Sequence, residues 1–85
     1  MVNINKSEIL KNICYTELVY RRINKKLQTD YARKEIEEYL FKIIKETDIE
    51  CFIKKGKNFY VTTNYNIRIT INSNTFRVIT VDKIK

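Results

Sequence analysis

The stretch KKGKNFY, residues 54 to 60, sets three lysines and the only glycine of the chain just ahead of two aromatic rings. Such residues act on phosphates by binding them. Ammonium groups attract the phosphate oxygens, and an aromatic ring offers a flat surface on which a base can stack. Two later runs, NIRITI and TFRVITV, add Arg68 and Arg77 with hydroxyls at Thr70 and Thr75. Gly56 also has a plainer explanation, since a tight hairpin turn needs a positive φ that glycine adopts without strain. Neither GxxxxGK[ST] nor GxGxxG occurs, so the glycine does not mark a nucleotide-binding loop.

Other chemistries are narrowed by what the chain lacks. There is no histidine, which removes Ser/His/Asp and Cys/His nucleophilic systems and every histidine-containing zinc site. The two cysteines, Cys14 and Cys51, are far apart and cannot make a four-cysteine cluster. Each lies among apolar neighbours, in ICY and CFI, the usual setting of a buried, inert thiol. Glu35, Glu37 and Glu38 fall beside lysines at helical spacing and read as surface ion-pair partners. No catalytic residue, metal ligand or cofactor is therefore assigned. One enzymatic route remains as an alternative: a histidine-independent ribonuclease toxin of a toxin-antitoxin pair. In it Tyr60, Arg68, Arg77 and Lys54 would stabilise the phosphorane and move protons.

The elements that must carry these residues follow from periodicity. Asn5 and Glu8 have capping-box spacing, and Ile9, Leu10, Ile13 and Cys14 mark the apolar stripe of a short first helix. Thr16 can cap a second segment with Leu18, Val19, Ile23 and Leu27 at helical spacing, either continuous with the first or separate. Thr29 and Asp30 signal the next start. Ile36, Tyr39, Leu40, Ile43 and Ile44 then follow the i, i+3, i+4, i+7, i+8 pattern, opposite a face of mixed charge. After Asp48 the period changes to two. IECFIK, NFYVTT, NIRITI and TFRVITV predict four strands joined by KKGKN, TNYN and NSN. The fold class expected is α+β: two or three N-terminal helices, about 5–47, packed on a four-stranded antiparallel meander, about 49–82, in one domain over 1–85.

Alternation assigns the strand faces. Ile67, Ile69 and Ile71 must meet the helices, leaving Asn66, Arg68 and Thr70 outside. Phe59, Val61 and Thr63 point in, with Tyr60 and Thr62 out; Phe76 and Val78 point in, with Thr75 and Arg77 out. Strict alternation would then turn Ile79 and Val81 outward, which predicts a bulge or a second contact surface near residue 79. The binding residues expected on the outer face are Lys54, Tyr60, Thr62, Arg68, Thr70 and Arg77, with Lys55 and Lys57 at the hairpin tip. A solvated sheet face also favours Thr, Arg, Lys and Tyr, so the combination carries the reading rather than any one residue.

Charge points the same way. Seventeen Lys and Arg against ten Asp and Glu give +7 and a pI near 9.5, which favours polyanions or acidic protein surfaces. Residues 49 to 85 hold seven basic and two acidic side chains, whereas residues 1 to 48 hold ten and eight, so the excess lies on the sheet half. An abundance of Ile, Lys and Asn, the residues of AT-rich codons, accounts for part of the lysine content. There is no run of 18 apolar residues and no charged-then-apolar leader, so no membrane association is expected, and the thiols suggest a reduced, cytoplasmic setting.

At ICYTELVYRRINKKL, and again from GKNFY through NIRITINSNTFRVITVDKI, the chain resembles an uncharacterised family of small domains from low-GC Gram-positive bacteria and their phages and mobile elements. The resemblance covers most of the chain and implies a compact stand-alone domain, with no activity, cofactor or site attached. The phage setting implies one further class, small inhibitors of a host defence nuclease resembling anti-CRISPR proteins and acting by protein–protein binding.

The expected function is that of a small binding protein engaging nucleic acid or a nucleoprotein through the outer sheet face. Single strands or RNA are favoured, because no helix is expected to present the one-sided basic face needed for the major groove. A protein partner, or a homodimer through Ile79, Val81 and Ile84, is the alternative.

Overall fold

The computed structural model describes residues 4–84, so the first three residues and the last of the expected 1–85 domain lie outside the described residues. Three helices precede four strands: α1 (Lys6–Asn12), α2 (Glu17–Leu27), α3 (Arg33–Glu46), a 3-10 turn (Ile49–Cys51), then β1 (Phe52–Lys55), β2 (Asn58–Thr62), β3 (Ile67–Asn72) and β4 (Val78–Lys83). The strands form one antiparallel meander in the order β1-β2-β3-β4. This is the expected α+β architecture, and the first two helical segments are separate helices.

Local chemistry explains most of the boundaries. Asn5 caps α1 by accepting the Glu8 N–H at 3.0 Å. Thr16 stands at the N-cap of α2 but its hydroxyl makes no capping bond. Gln28 ends α2 in the left-handed region, at φ 59°. α3 starts later than Thr29 and Asp30 predict, its first residue, Arg33, lying three beyond Asp30. Asn24 takes that connection for itself, accepting from the Thr29 hydroxyl at 2.8 Å and the Tyr31 N–H at 3.0 Å. The helix begins after Ala32, whose N–H donates to Glu35 at 2.8 Å; alanine has no acceptor for the reciprocal bond.

The core lies between the helices and one sheet face. Ile9, Val19, Ile23, Leu27, Ile36, Leu40, Ile43 and Ile44 enter from the helices, and each strand supplies its inward residues. Across the sheet, Phe52, Val61, Ile69 and Val81 form one buried row; Phe59, Ile71 and Val78 form the next. Each such side chain contributes roughly 1.5–3 kcal/mol when fully buried. Leu18 departs from its expected place in the α2 stripe and is 70% exposed. With Val19, Ile23 and Leu27 directed inward at intervals of four, Leu18 is rotated about 100° away.

The irregularity predicted near residue 79 is a bulge. Thr70 pairs with Thr80 but Ile71 pairs with Val78, so Ile79 is the extra residue. It resets the alternation, and Val81 is fully buried in the core rather than turned outward. Val81 is therefore unavailable to the dimer surface expected of it, and Ile79 and Ile84 are half-buried.

α2 runs alongside β4. Arg22 donates to the Ile79 carbonyl at 3.4 Å, Lys26 pairs with Asp82 at 3.1 Å, and Lys83 donates to Gln28 at 3.2 Å. Just before α2, Cys14 extends the sheet by one parallel bridge to Arg77: its N–H donates to the Phe76 carbonyl and its carbonyl accepts from Val78, both at 2.9 Å. This extended position leaves the Cys14 side chain exposed, unlike the buried thiol expected from its neighbours.

Candidate nucleic-acid interface

The outer sheet face is built from two adjoining rows. Ile53, Tyr60, Thr70 and Thr80 stand opposite one another across the four strands, and beside them Thr62, Arg68 and Asp82 form a second row. Positions two apart on a strand lie about 6.6–6.8 Å apart, so the Arg68 row is one such step from the Tyr60 ring. Around them is a shallow groove of roughly 400 Å³ lined by Ile53, Lys55, Gly56, Tyr60, Thr62 and Arg68. Tyr60 is half-buried and Arg68 exposed. The groove thus joins a ring face, two cations and a hydroxyl.

The hairpin tip is fixed by its turn. Gly56 has φ +63° and nothing lies within 4 Å of where a Cβ would stand, so backbone conformation rather than space requires glycine there. The Lys57 carbonyl accepts from both the N–H and the hydroxyl of Ser73, at 2.8 and 2.9 Å, which ties the β1–β2 tip to the β3–β4 loop. That loop is shaped by Asn72, whose side-chain oxygen accepts from the Asn74 and Thr75 N–H groups at 2.8 and 2.9 Å.

The structure brings together only part of the expected set. Lys55, Tyr60, Thr62 and Arg68 share the groove, and Lys57 is exposed at the tip. Thr70 is on the outer face but only 7% exposed, between Tyr60 and Thr80, so its hydroxyl offers little to a ligand. Lys54 is on the other face: it pairs with Phe59, which points to the core. The larger Phe52 takes the inward position of β1, and that turns Ile53 outward and Lys54 inward, where it nevertheless remains exposed. Arg77 is also apart from Tyr60. It lines a separate depression with Thr16, Leu18, Val19, Arg22, Val78 and Ile79. The four residues of the ribonuclease alternative, Tyr60, Arg68, Arg77 and Lys54, therefore do not converge on one phosphate.

Three features were not anticipated. Ile53 is 57% exposed beside Tyr60. Asp82 puts a carboxylate on the otherwise basic face, opposite Arg68. Most importantly, α2 does have a one-sided basic face, contrary to the sequence-based expectation: Arg21, Arg22, Lys25 and Lys26 are all exposed and share a depression of about 500 Å³. The spacing in ELVYRRINKKL carries that signal, once Val19, Ile23 and Leu27 are taken as the buried stripe.

Away from the sheet face, tyrosines are grouped on the helical side. Tyr15 and Tyr20 stack at 5.5 Å, the Arg33 guanidinium lies 5.2 Å from the Tyr20 ring centroid, and the Tyr20 hydroxyl donates to Glu37 at 2.5 Å. Arg33 also pairs with Glu17. Burial, then the hydrogen bond to Glu37, pushes Tyr20 up to about 12. Tyr15 is raised further above the usual phenol value, first by burial and then by Glu37, and its hydroxyl has no hydrogen-bond partner among the described residues.

Among the described residues no three His, Cys, Asp or Glu side chains come together to hold a metal, and no helix is long and apolar enough to cross a membrane. No curated protein and no solved structure shows significant similarity to the chain. A family profile does match, over residues 7–82, from α1 to β4, and it carries the description "Protein of unknown function (DUF3781)". The chain with this helix-backed meander and basic outer groove belongs to the DUF3781 family.

Proposed function

We propose that this protein is a non-catalytic binding module that engages single-stranded nucleic acid on the outer face of its sheet. The observation that carries the reading is the groove in which Tyr60 is flanked by Arg68, Lys55 and Thr62. An unpaired base can stack on the ring while its neighbouring phosphates meet the cations, and base–aromatic stacking contributes about 1–3 kcal/mol per base. A duplex cannot use the ring in this way, because its bases are already stacked on one another.

The experiment is a titration of nucleic-acid-free protein into fluorescent 20-nucleotide single strands, RNA and DNA, over a salt series. Micromolar or tighter affinity that falls linearly on a log–log salt plot, with a slope reduced by about 0.7 in Arg68→Ala, supports the reading. Absence of binding near physiological salt, or an Arg68→Ala slope equal to that of the wild type, refutes it.

The exposed Ile53 favours one second reading. An apolar residue beside Tyr60 on an edge strand suits a protein partner, in keeping with the resemblance to mobile-element proteins and with inhibition of a host nuclease. Ile53→Lys separates the two. It adds a cation to the groove, so it strengthens nucleic-acid binding and disrupts a protein interface.

A further inference from the structure

α2 turns its apolar side, Val19, Ile23 and Leu27, into the core, and the other side carries Arg21, Arg22, Lys25 and Lys26. Residues 21 and 25, and likewise 22 and 26, are four apart, so each pair is separated by about 6 Å along the helix axis. Among the described residues, the depression they enclose, about 500 Å³, is lined by these four side chains. Like charges at this spacing oppose helix formation in isolation. Compensation within the fold is partial: Lys26 pairs with Asp82, and Arg22 donates to the Ile79 carbonyl. Arg21 and Lys25 have no hydrogen-bond or ion-pair partner among the described residues. The one acid of the helix, Glu17, is in its first turn and is engaged by Arg33.

We infer that the exposed side of α2 is a second, separate site, which takes the phosphate backbone of duplex DNA. The four side chains that line its depression are all cations. The aromatic ring of α2, Tyr20, faces α3 through its bond to Glu37 and its stack on Tyr15, so an unpaired base finds no platform here and phosphates are the complementary groups. A duplex holds its phosphates in regular lines at high charge density, whereas a single strand must lose conformational freedom to present them. A helix with side chains is about 10–12 Å across, close to the roughly 12 Å width of the B-form major groove. Packing against β4 limits α2 to laying its exposed half along the backbone at the groove mouth. Arg77, which shares a depression with Arg22 and Leu18, extends the cationic surface past the N-terminal end of the helix. A membrane surface is a poorer match, because an interfacial helix needs an apolar face to insert, and that of α2 is used in the core with only Leu18 left outside. The inference does not depend on the sheet-face reading.

The test uses the whole chain and a double variant, Arg21→Gln/Lys25→Gln, at two exposed positions without partners. A control, Lys34→Gln/Lys42→Gln, removes the same charge from exposed positions on α3. Each is titrated against a blunt 20-base-pair DNA duplex and a 20-nucleotide single strand between 50 and 300 mM salt. The expected result is a loss of duplex affinity with the log–log salt slope reduced by about 1.8, 0.9 for each lost contact. Single-strand affinity stays at the wild-type value, and the control binds duplex like the wild type. Failure of the wild type to bind duplex at 50 mM salt, an unchanged double variant, an equal loss on single strands, or an equal loss in the control would each overturn the assignment. Loss of single-strand binding in Tyr60→Ala with duplex binding intact would separate the two surfaces.

Discussion

Arg68 and Asp82 stand directly opposite each other on β3 and β4, yet the Asp82 carboxylate is held by Lys26 of α2 at 3.1 Å. The one acid on the outer face is thus drawn towards the helix, and the guanidinium keeps its charge available to the groove. Lys26 and Asp82 are about half exposed, at 49% and 45%, so their pairing contributes at most about 1 kcal/mol. Asp82→Asn is expected to tighten single-strand binding at low salt, by removing a negative charge beside Arg68. The thermal midpoint should move by only a few degrees. Weaker binding in Asp82→Asn would mean that the carboxylate orients Arg68 and does not oppose it.

Stacking and charge at the groove can be told apart at Tyr60. Tyr60→Ala should cost single-strand affinity about 1–3 kcal/mol, roughly five- to 150-fold, with little change in salt slope. Tyr60→Phe should retain most of the affinity because the ring remains. An equal loss in both variants would assign the contribution to the hydroxyl.

The helix-to-sheet order and the core were legible because both periods are clean: Ile36 to Ile44 spells a helix face, and Ile67, Ile69 and Ile71 a strand face. The bulge at Ile79 could be inferred from the break in alternation, although which residue would be displaced could not, and with it went the fate of Val81. Lys54 was misplaced because β1 is four residues long, with apolar residues at two successive positions. Only the core decides whether Phe52 or Ile53 turns inward. Leu18 hid the basic face of α2 for the same reason: counted as core, it shifts the helix by one residue and spreads the cations round the cylinder. Arg77 was correctly exposed, but its company depends on α2 meeting β4, a contact that no local pattern encodes.

Gly56 makes the cleanest test of the hairpin tip. With φ +63° and open space about it, Gly56→Ala has no clash to relieve and bears only the left-handed backbone cost, about 1–2 kcal/mol. Gly56→Asn should cost less, since asparagine tolerates that region. Denaturant midpoints measure both, and equal losses would mean that the turn rearranges.

Alkaline pH should expose the tyrosine cluster. Tyr15, Tyr20, Tyr39 and Tyr65 all have pKa values raised above the ordinary phenol value, through burial for the first three and through the hydrogen bond to Glu46 for Tyr65. A raised folded-state pKa means that the folded chain holds its protons longer. The associated stability is complete below pH 10 and is lost as pH rises towards 12, the value for Tyr20. Tyr15→Phe should flatten that loss and leave stability at pH 7 unchanged or slightly higher, because the hydroxyl it removes is buried without a partner among the described residues. Urea unfolding at pH 7 and pH 11 provides the comparison; a large loss at pH 7 would show that the hydroxyl is bonded through water.

The hydrogen bond from Arg22 to Ile79 joins residues 57 positions apart, and the Cys14–Arg77 bridge spans still more of the chain. The early helices can form locally as they leave the ribosome, but α2 has no strand to lie against until β4 has been made. Contacts of such long separation slow folding, since the intervening loop must close before they form. A nascent chain halted before Val78 would therefore display the inner edge of β3 and the apolar stripe of α2 together, two surfaces that invite a chaperone or another copy of the same unfinished chain.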